Sequence, residues 1–174
     1  MDDSRQRFEA LALPHLDAAY NLARWLTHSS AEADDVVQDA MLRAFRAFDG
    51  FRGDSVRPWL LAIVRNCWRT RAADVRRRSQ APLPSDDERP IAAEGPDPEA
   101  EAMRSSHRRR LDALIAALPE DFREVLVLRE MEDMSYREIA EATGAPIGTV
   151  MSRLARARAI LKDQWLKEGC DVVP

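Results

Sequence analysis

The stretch SYREIAEATGAPIGTVMSRLARAR, residues 135–158, decides the fold of the second half of the chain. Ser135 followed three residues later by Glu138 is a capping box, so the spacing predicts a helix that begins at Tyr136. Gly144 is placed to end that helix in the left-handed conformation, because glycine has no side chain to oppose it. The stretch therefore predicts two short helices with a tight corner between them.

The second of these helices, predicted to begin near Ile147, has two different faces. Apolar residues recur on the face that we assign to the core, namely Val150, Leu154, Ala157, Leu161 and Trp165. Hydroxyl and guanidinium groups project together from the first two turns of the opposite face, which carries Thr149, Ser152, Arg153 and Arg156. A helix-turn-helix presents this part of its second helix to the major groove of DNA. We therefore expect DNA binding here, and an ordinary helical hairpin with a solvated face is the alternative.

Composition and charge divide the chain into three parts. The 174 residues are 45% hydrophobic and 32% charged, which is typical of a globular chain, and the net charge is −4. Residues 51–80 hold eight arginines against two aspartates, whereas residues 81–102 hold seven acids, one arginine and five of the ten prolines. Such a proline-rich acidic segment neither continues a helix nor buries a core. We predict an all-α fold, with helical domains at 1–80 and 103–174 joined by a flexible acidic linker at 81–102.

Membrane insertion, disulfides and metal binding are not indicated by the sequence. The N-terminal MDDSRQRFEA has no secretory pattern and no apolar run reaches membrane-spanning length, so we expect a cytoplasmic protein. Cys67 and Cys170 lie far apart, without the spacing of metal ligands. We therefore expect no metal and no cofactor, and we expect Cys67 to pack as a small apolar residue.

The first domain begins with a short helix followed by a longer one that starts near Pro14. Ser30 is predicted to be the N-cap of the next helix, whose buried stripe is Val37, Met41, Ala44 and Phe48. The other side of that helix carries Asp35, Gln38 and Asp39. By itself this polar face is typical of a solvated surface.

A loop at residues 48–55 then leads into a long helix with Trp59, Leu60, Ile63, Val64 and Cys67 in its core stripe. Every basic residue outside that stripe is an arginine: Arg57, Arg65, Arg69, Arg71 and Arg76–Arg78. Arginine binds phosphates in a bidentate manner and stacks on bases, which favours a role with distorted or single-stranded nucleic acid. A helix-dipole effect would explain Arg76–Arg78 but not the arginines in the middle of the helix.

Two scaffold helices open the second domain. We predict one with a core face of Leu111, Leu114, Ile115 and Leu118. Pro119 is expected at the first position of the next, with Phe122, Val125, Leu126 and Met131 on its inner face.

Three segments of the chain, in order, resemble the sigma-70 family of bacterial sigma factors, in its extracytoplasmic-function class. DDVVQDAMLRAF resembles the polymerase-binding segment of the family, and FRGDSVRPWLLAIVRN resembles its segment for reading and melting the −10 element. The segment from LPEDFREVLVLRE to the helix-turn-helix resembles the domain that reads the −35 element. Three such pieces in this order are far more specific than any one of them.

The resemblance implies an alternative sigma factor that binds core RNA polymerase and promoter DNA, and that an anti-sigma factor restrains. Polymerase would bind Asp35, Gln38 and Asp39, and the −35 element would bind Thr149, Ser152, Arg153 and Arg156. The −10 element would bind Phe51, Arg52, Ser55, Trp59, Arg65, Asn66 and Arg69, with an unpaired base held by the loop.

Two other classes of protein are alternatives. An operator-binding regulator would need residues 1–80 as a sensor or dimerisation domain, yet that part carries arginines and aromatics with no ligand-site pattern. A nucleic-acid enzyme such as a deaminase or nuclease would need a catalytic motif, and the three histidines form none. We therefore expect no catalysis by this chain.

Overall fold

The computed structural model of the protein describes residues 2–78 and 98–167, with side chains given for 4–78 and 106–167. These ranges form eight α-helices and no strand, which confirms the all-α class. In chain order the helices are α1 (Asp2–Ala12), α2 (Leu16–Thr27), α3 (Ser30–Ala47), α4 (Val56–Arg78), α5 (Pro98–Ala116), α6 (Glu120–Glu130), α7 (Tyr136–Thr143) and α8 (Ile147–Lys167). Short 3-10 turns at Leu13–His15 and Phe48–Gly50 join α1 to α2 and end α3.

Helices α2, α3 and α4 pack against one another to form the first half of the molecule. The predicted stripe of α3 is largely confirmed, since Val37, Ala44 and Phe48 are buried while Met41 is half-buried. The α4 stripe is rotated slightly from the prediction. Its fully buried residues are Leu60, Leu61, Val64 and Cys67, whereas Trp59 and Ile63 are half-buried.

The N-cap predicted at Ser30 is wrong by one residue. Ser29 has the extended backbone of an N-cap, and its hydroxyl accepts a hydrogen bond from the backbone N–H of Glu32 at 3.3 Å. Ser30 is then the first residue of α3. Two adjacent serines offer the same capping chemistry, so only the backbone conformation distinguishes them.

Pro119 is likewise the residue before α6 and not its first residue. The side chain of Arg123 reaches back to the end of α5 and donates to the carbonyl oxygens of Ala116, at 2.7 Å, and Leu118, at 3.3 Å. Burial lowers the pKa of this guanidinium. Arg123 therefore closes the corner between the two scaffold helices by satisfying carbonyls that α5 leaves unpaired.

Two apolar residues predicted for the second core are exposed, namely Leu111 and Met131. Helix α5 contacts α8 where His107 and Arg110 lie against the ring of Trp165, and Leu111 on the same helix stays 41% exposed. Met131 follows the last residue of α6 and so no longer continues its helical stripe. The other predicted residues Leu114, Ile115, Leu118, Val125 and Leu126 are buried, and Phe122 is half-buried.

The helix-turn-helix is confirmed in detail. The Ser135 hydroxyl accepts from the Glu138 N–H at 3.2 Å, and the Glu138 carboxylate accepts from the Ser135 N–H at 2.8 Å. Gly144 adopts φ = 68°, the left-handed conformation that ends α7. Along α8 the core residues Val150, Leu154 and Ala157 are buried, and Leu161 and Trp165 are half-buried.

Most of the predicted linker, up to residue 97, lies outside the described residues. Its last five residues, 98–102, are helical and belong to α5, so the linker prediction is wrong there. Proline is well accommodated in the first turn of a helix, where its missing N–H would be unpaired in any case, and Pro98 occupies that position. The domain boundaries themselves remain a prediction.

The two halves of the molecule are in contact. Helix α4 packs against α7, and α2 packs against α6. Buried residues of both halves belong to one continuous hydrophobic cluster. The contact places the arginines of α4 opposite the helices of the second half.

The capping box gives a prediction about stability and pH. The pKa of Glu138 is lowered, mainly by the hydrogen bond from the Ser135 backbone, so the folded protein favours the ionised carboxylate. This stabilisation is present above the ordinary pKa of 4.5 and is lost as the pH falls through the lowered pKa. We expect Glu138→Gln to reduce the free energy of unfolding at pH 7 by about 0.5–1 kcal/mol, and Ser135→Ala by about 1 kcal/mol.

Urea denaturation between pH 7 and pH 3 measures both effects. Glu141→Gln is the matched control, because Glu141 lies on the same helix and pairs with Arg137 at the exposed surface. Equal losses for the Gln variants at positions 138 and 141 at pH 7 would contradict the special role of the capping carboxylate.

Candidate nucleic-acid interface

The predicted DNA-reading face of α8 is present on its first two turns. Ser152 and Arg156 are exposed, Thr149 is half-buried, and the Ser152 hydroxyl donates to the Thr149 carbonyl oxygen at 3.0 Å. Arg153 differs, because its guanidinium lies 2.7 Å from the carboxylate of Asp121 at the start of α6. Three of the four residues are therefore presented to solvent, and the fourth is held by an ion pair.

An aromatic cluster supports the loop between α3 and α4. The ring centroids of Phe51 and Trp59 are 4.9 Å apart, and Phe48 stacks on Phe51 at 6.3 Å. Gly53 lies directly against this cluster, since a Cβ atom there would be 2.8 Å from Cε2 of Phe51. Arg52 folds back onto the loop and donates to the carbonyl oxygens of Asp49 at 2.7 Å and Phe51 at 3.0 Å.

A cavity of about 680 Å³ opens beside this loop, between the two halves of the molecule. One wall consists of loop residues 50–55 and the first turns of α4, including Trp59. The other wall belongs to α7 and carries the carboxylates of Glu138 and Glu141. Four of the residues predicted to bind the −10 element line the cavity, namely Phe51, Arg52, Ser55 and Trp59.

The other three residues predicted for the −10 element lie further along α4. Asn66 is exposed and accepts a hydrogen bond from Arg65 at 3.3 Å. Arg65 and Arg69 continue the row begun by Arg57, and we call Arg57, Arg65 and Arg69 the α4 arginine face. The predicted set is thus divided between the pocket beside the loop and the arginine row along α4.

Each residue of the α4 arginine face is paired with a carboxylate of the second half. Arg57 contacts Glu132 at 2.8 Å, and Arg69 contacts Asp121 at 2.9 Å and Glu124 at 3.4 Å. Arg65 donates to the Glu124 carboxylate. These pairs join residues more than 50 positions apart, and helical spacing along the sequence does not predict them.

Glu124 is the most deeply buried of these carboxylates, with its side chain 0% exposed and its partner Arg65 11% exposed. Burial also raises the pKa of Glu132, although the bonds from Arg57 oppose that shift. A charge buried in this way is tolerated only when it is paired and hydrogen-bonded. A signal was present in the sequence, because Glu124 is embedded in the apolar run of α6 where a solvated glutamate is not expected.

The face predicted for polymerase binding is exposed on α3. Asp35 lies 3.4 Å from Arg71, and Asp39 lies 3.0 Å from Arg43. Gln38 is exposed and stands at the edge of a groove between α1 and α3. The three side chains therefore form one polar rim.

The groove beside this rim is apolar and was missed by the sequence analysis. We call it the α1–α3 groove, and its apolar residues are Phe8, Leu13, Met41, Leu42 and Phe45. Leu42 is 51% exposed and Phe45 is 47% exposed, which is high for large apolar side chains on one helix face. The signal was their spacing of four and seven residues after Gln38, on the outer side of α3.

Cys67 is buried, and burial raises the pKa of its thiol, which disfavours the reactive thiolate. The other cysteine of the sequence, Cys170, lies outside the described residues. Within residues 2–78 and 98–167, no three metal-ligating side chains are grouped as a metal site would require. None of the helices in these ranges is long and apolar enough to span a membrane.

Two family models match this chain. The model described as Sigma-70 region 2 matches residues 11–78, and the one described as Sigma-70, region 4 matches residues 108–161. Together they cover more than half of the chain. A region 2 match is not expected of a simple operator-binding regulator, so that alternative is wrong.

Curated relatives agree with these matches. The chain is 32% identical over 164 residues to the ECF RNA polymerase sigma factor SigE of Mycolicibacterium smegmatis, covering 94% of this chain and 63% of the relative. It is 34% identical over 168 residues to the RNA polymerase sigma-H factor of Pseudomonas aeruginosa, covering 88% of this chain and 83% of the relative. It is 36% identical over 146 residues to the ECF RNA polymerase sigma-E factor of Escherichia coli, covering 78% of this chain and 74% of the relative.

Two solved structures resemble the whole arrangement. One is the sigma factor RpoE of Bartonella quintana in complex with the anti-sigma factor NepR, with a TM-score of 0.73, 27% identity, and coverage of 98% of this chain and 100% of that one. The other is CnrH in complex with the cytosolic domain of CnrY, with a TM-score of 0.65, 27% identity, and coverage of 95% and 91%. Family models, relatives and folds agree, and the chain therefore belongs to the sigma-70 family, as a sigma factor of the extracytoplasmic-function class.

Proposed function

We propose that this alternative sigma factor binds core RNA polymerase, directs it to promoters by reading the −35 and −10 elements, and helps to melt the −10 region. One observation carries the proposal: a single chain combines the helix-turn-helix face of α8 with an aromatic pocket and an arginine row on α4. Run-off transcription with core polymerase on fragmented genomic DNA tests it. Discrete transcripts that require this chain are expected, and their absence would overturn the proposal.

The −35 element would be read by Thr149, Ser152 and Arg156, which are near one another on the first turns of α8. A guanidinium bonds guanine O6 and N7 in a bidentate manner, and hydroxyls bond either bases or phosphates. Arg153 lies closer to the body of the second half and is suited to a phosphate next to the groove.

The −35 assignment predicts different results for two neighbouring arginines. Arg156→Ala should relax the preference at one position of the −35 element by about 1–3 kcal/mol, because a base contact is lost. Arg153→Ala should weaken binding to all sequences about equally, because a phosphate contact carries no sequence information. Binding profiles of both variants on a −35 library measure this. If Arg156→Ala weakened binding to all −35 sequences equally, the proposed contact between Arg156 and a base would be wrong.

The −10 element would be opened by the pocket beside the aromatic loop. Removing a base from the stack costs a few kcal/mol, and stacking on an aromatic ring returns about 1–3 kcal/mol per base. Phe51 and Trp59 offer such rings at the rim of a cavity large enough for a base. Arginines along α4 would then neutralise the phosphates of the separated strand.

Two glycines of this loop provide a matched test of the pocket. A Cβ atom at Gly53 would be 2.8 Å from the Phe51 ring, so Gly53→Ala should displace that ring, whereas no atom lies within 4 Å of a Cβ at Gly50. We expect Gly53→Ala to weaken promoter opening by up to about 1–3 kcal/mol, the value of one base stack. Permanganate footprinting on a promoter from the run-off screen measures opening. Equal behaviour of Gly53→Ala and Gly50→Ala would count against the pocket.

Core polymerase would bind the polar rim of α3 together with the α1–α3 groove. A protein interface typically combines an apolar centre with a polar rim, and Leu42 and Phe45 supply the first while Gln38 and Asp39 supply the second. An exposed apolar patch of this kind is a frequent mark of a partner site.

The docking proposal predicts a loss of polymerase binding without a loss of folding. Asp39→Arg reverses a charge on the rim and Gln38→Ala removes its amide, and exposed substitutions of this kind rarely cost more than about 0.5 kcal/mol of stability. Affinity for core polymerase, measured beside the melting temperature, checks the prediction. Glu9→Gln, on the α1 side of the same groove, reports whether loss of any charge there has the same effect. If both α3 variants bound core polymerase with unchanged affinity, the assignment of polymerase binding to this face would be wrong.

An anti-sigma factor is the partner that we propose for control. One of the two similar solved structures is of a sigma factor bound to the anti-sigma factor NepR, and the other is of CnrH bound to the cytosolic domain of CnrY. The α1–α3 groove and the face of α8 are the exposed surfaces that such a partner would cover. Co-purification of the chain from unstressed cells tests this, and recovery only with polymerase, or alone and fully active, would refute it.

Sigma factors are regulatory initiation factors and not catalytic enzymes, and this chain is proposed to act in the same way. Because polymerase and promoter DNA would be its partners, we propose that it works in the cytoplasm. The proposed binding to polymerase and to promoter DNA does not require a metal or a cofactor on this chain.

A further inference from the structure

The start of α8 carries two large apolar side chains that the contacts described so far leave unused. Ile147 and Met151 lie one turn apart, and they are 47% and 51% exposed. Neither is among the residues that form or pack against the hydrophobic core in the described part of the chain. A single exposed apolar residue is ordinary on a protein surface, but two in adjacent turns of one helix form a patch. We call this patch the apolar edge of α8.

The apolar edge lies next to the polar residues proposed to read the −35 element. Successive residues of an α-helix are turned by about 100° about its axis, so Met151 and Ser152 point in neighbouring directions. Thr149 and Arg156 are turned by about 40–60° to the other side of Ser152. Ala155 is exposed and lies between Met151 and Ser152. The proposed DNA-reading face is therefore polar on one side of Ser152 and apolar on the other.

Gly148 gives an independent indication that another molecule comes close to this edge. It belongs to the first turn of α8, and a Cβ atom at this position would have no atom of the protein within 4 Å. Packing inside the protein therefore does not require glycine here, and glycine is a poorer helix former than alanine. The absence of a side chain does allow a close approach to the helix backbone. Such an approach is suited to base edges in a groove.

The chemistry of the apolar edge matches one base of the major groove. In unmodified DNA only thymine presents a methyl group there, and apolar side chains recognise it by contact. A methionine side chain is unbranched and polarisable, so it adapts well to a small apolar group. A protein partner fits the edge less well, because a standard interface covers about 800 Å² on each side and this patch is two side chains wide, next to hydroxyl and guanidinium groups.

We propose that Met151, with Ile147 beside it, is a specificity-determining residue that contacts the C5-methyl group of a thymine in the −35 element. This inference rests on the proposed function, and it adds an apolar contact to the polar ones assigned to Thr149, Ser152 and Arg156. The −35 element of this sigma factor then has a thymine at a fixed position. Its preference there is for the methyl group and not for the hydrogen-bonding pattern of the base.

Deoxyuridine tests the contact because it removes only the methyl group. Uracil pairs with adenine as thymine does and keeps the O4 acceptor in the major groove. Holoenzyme reconstituted from core polymerase and the full chain is first used to select sequences from a −35 library. Each thymine of the selected element is then replaced singly by uracil, on either strand, and the affinity of the holoenzyme for the labelled promoter is measured.

We expect one thymine position at which uracil weakens binding of the wild-type holoenzyme about three- to fivefold, the change that corresponds to burial of one methyl group. Met151→Ala should bind the thymine promoter more weakly than the wild type, and it should no longer distinguish thymine from uracil at that position. The same variant should keep the preference at the position assigned to Arg156, which shows that α8 remains folded.

Leu166→Ala is the matched control. Leu166 is 49% exposed and belongs to the same helix, but it lies in the last turn, far from the proposed groove contacts. This variant should retain the full sensitivity to uracil. Equal sensitivity in the wild type and in Met151→Ala would mean that Met151 contacts something other than this methyl group, such as a protein partner, and overturns the proposal.

The selection step separates this inference from the proposed function. If the wild-type holoenzyme selects no −35 sequence, the proposed function is wrong and the inference is wrong with it. If it selects a −35 element in which no thymine is preferred, or in which no thymine position is sensitive to loss of the methyl group, the function stands and the contact of Met151 is wrong.

Discussion

The buried pair between Arg65 and Glu124 is the interaction on which the relation of the two halves depends. Glu124 belongs to the apolar core of the second half, and no described residue of that half supplies the cation that it contacts. The cations come instead from α4, so the charge of Glu124 is compensated only while the halves meet. A hydrophobic residue at this position would need no partner charge from the other half. With a glutamate there, the buried charge of the second half is compensated by arginines of the first half.

The chemistry of the α4 arginine face suits two kinds of partner. A planar guanidinium binds carboxylate and phosphate with similar geometry, so a row of arginines accepts either an acidic helix or a nucleic-acid strand. Competition between the two then depends on how many pairs form and how well water screens them. Most of the ion pairs in this contact are partly exposed, the pair of Arg65 and Glu124 is buried, and apolar residues of both halves pack in the same hydrophobic cluster.

The surface that we propose for polymerase binding follows a different principle. On α3 the core residues Val36, Val37, Ala40 and Ala44 face inward, and the outward face combines polar Gln38 and Asp39 with the exposed Leu42 and Phe45. The inward face fixes the helix in the bundle, which leaves the outward face rigid. A rigid surface loses little conformational entropy on binding, so its apolar residues contribute more fully to affinity. The surfaces proposed for DNA reading and for polymerase docking thus lie on separate helices.

The sequence by itself determined the features that depend on nearby residues. The capping box of Ser135 and Glu138, the left-handed Gly144 and the two-faced helix after it follow from spacings of three and four residues, and the structure confirms them. Local chemistry was ambiguous where Ser29 and Ser30 are equivalent caps, and where Pro119 suits either of two positions. The tertiary structure decided the exposure of Leu111, the α1–α3 groove and the pairing of α4 with α6. Those features join residues that are remote in sequence, and helical periodicity carries no information about which remote face a helix will meet.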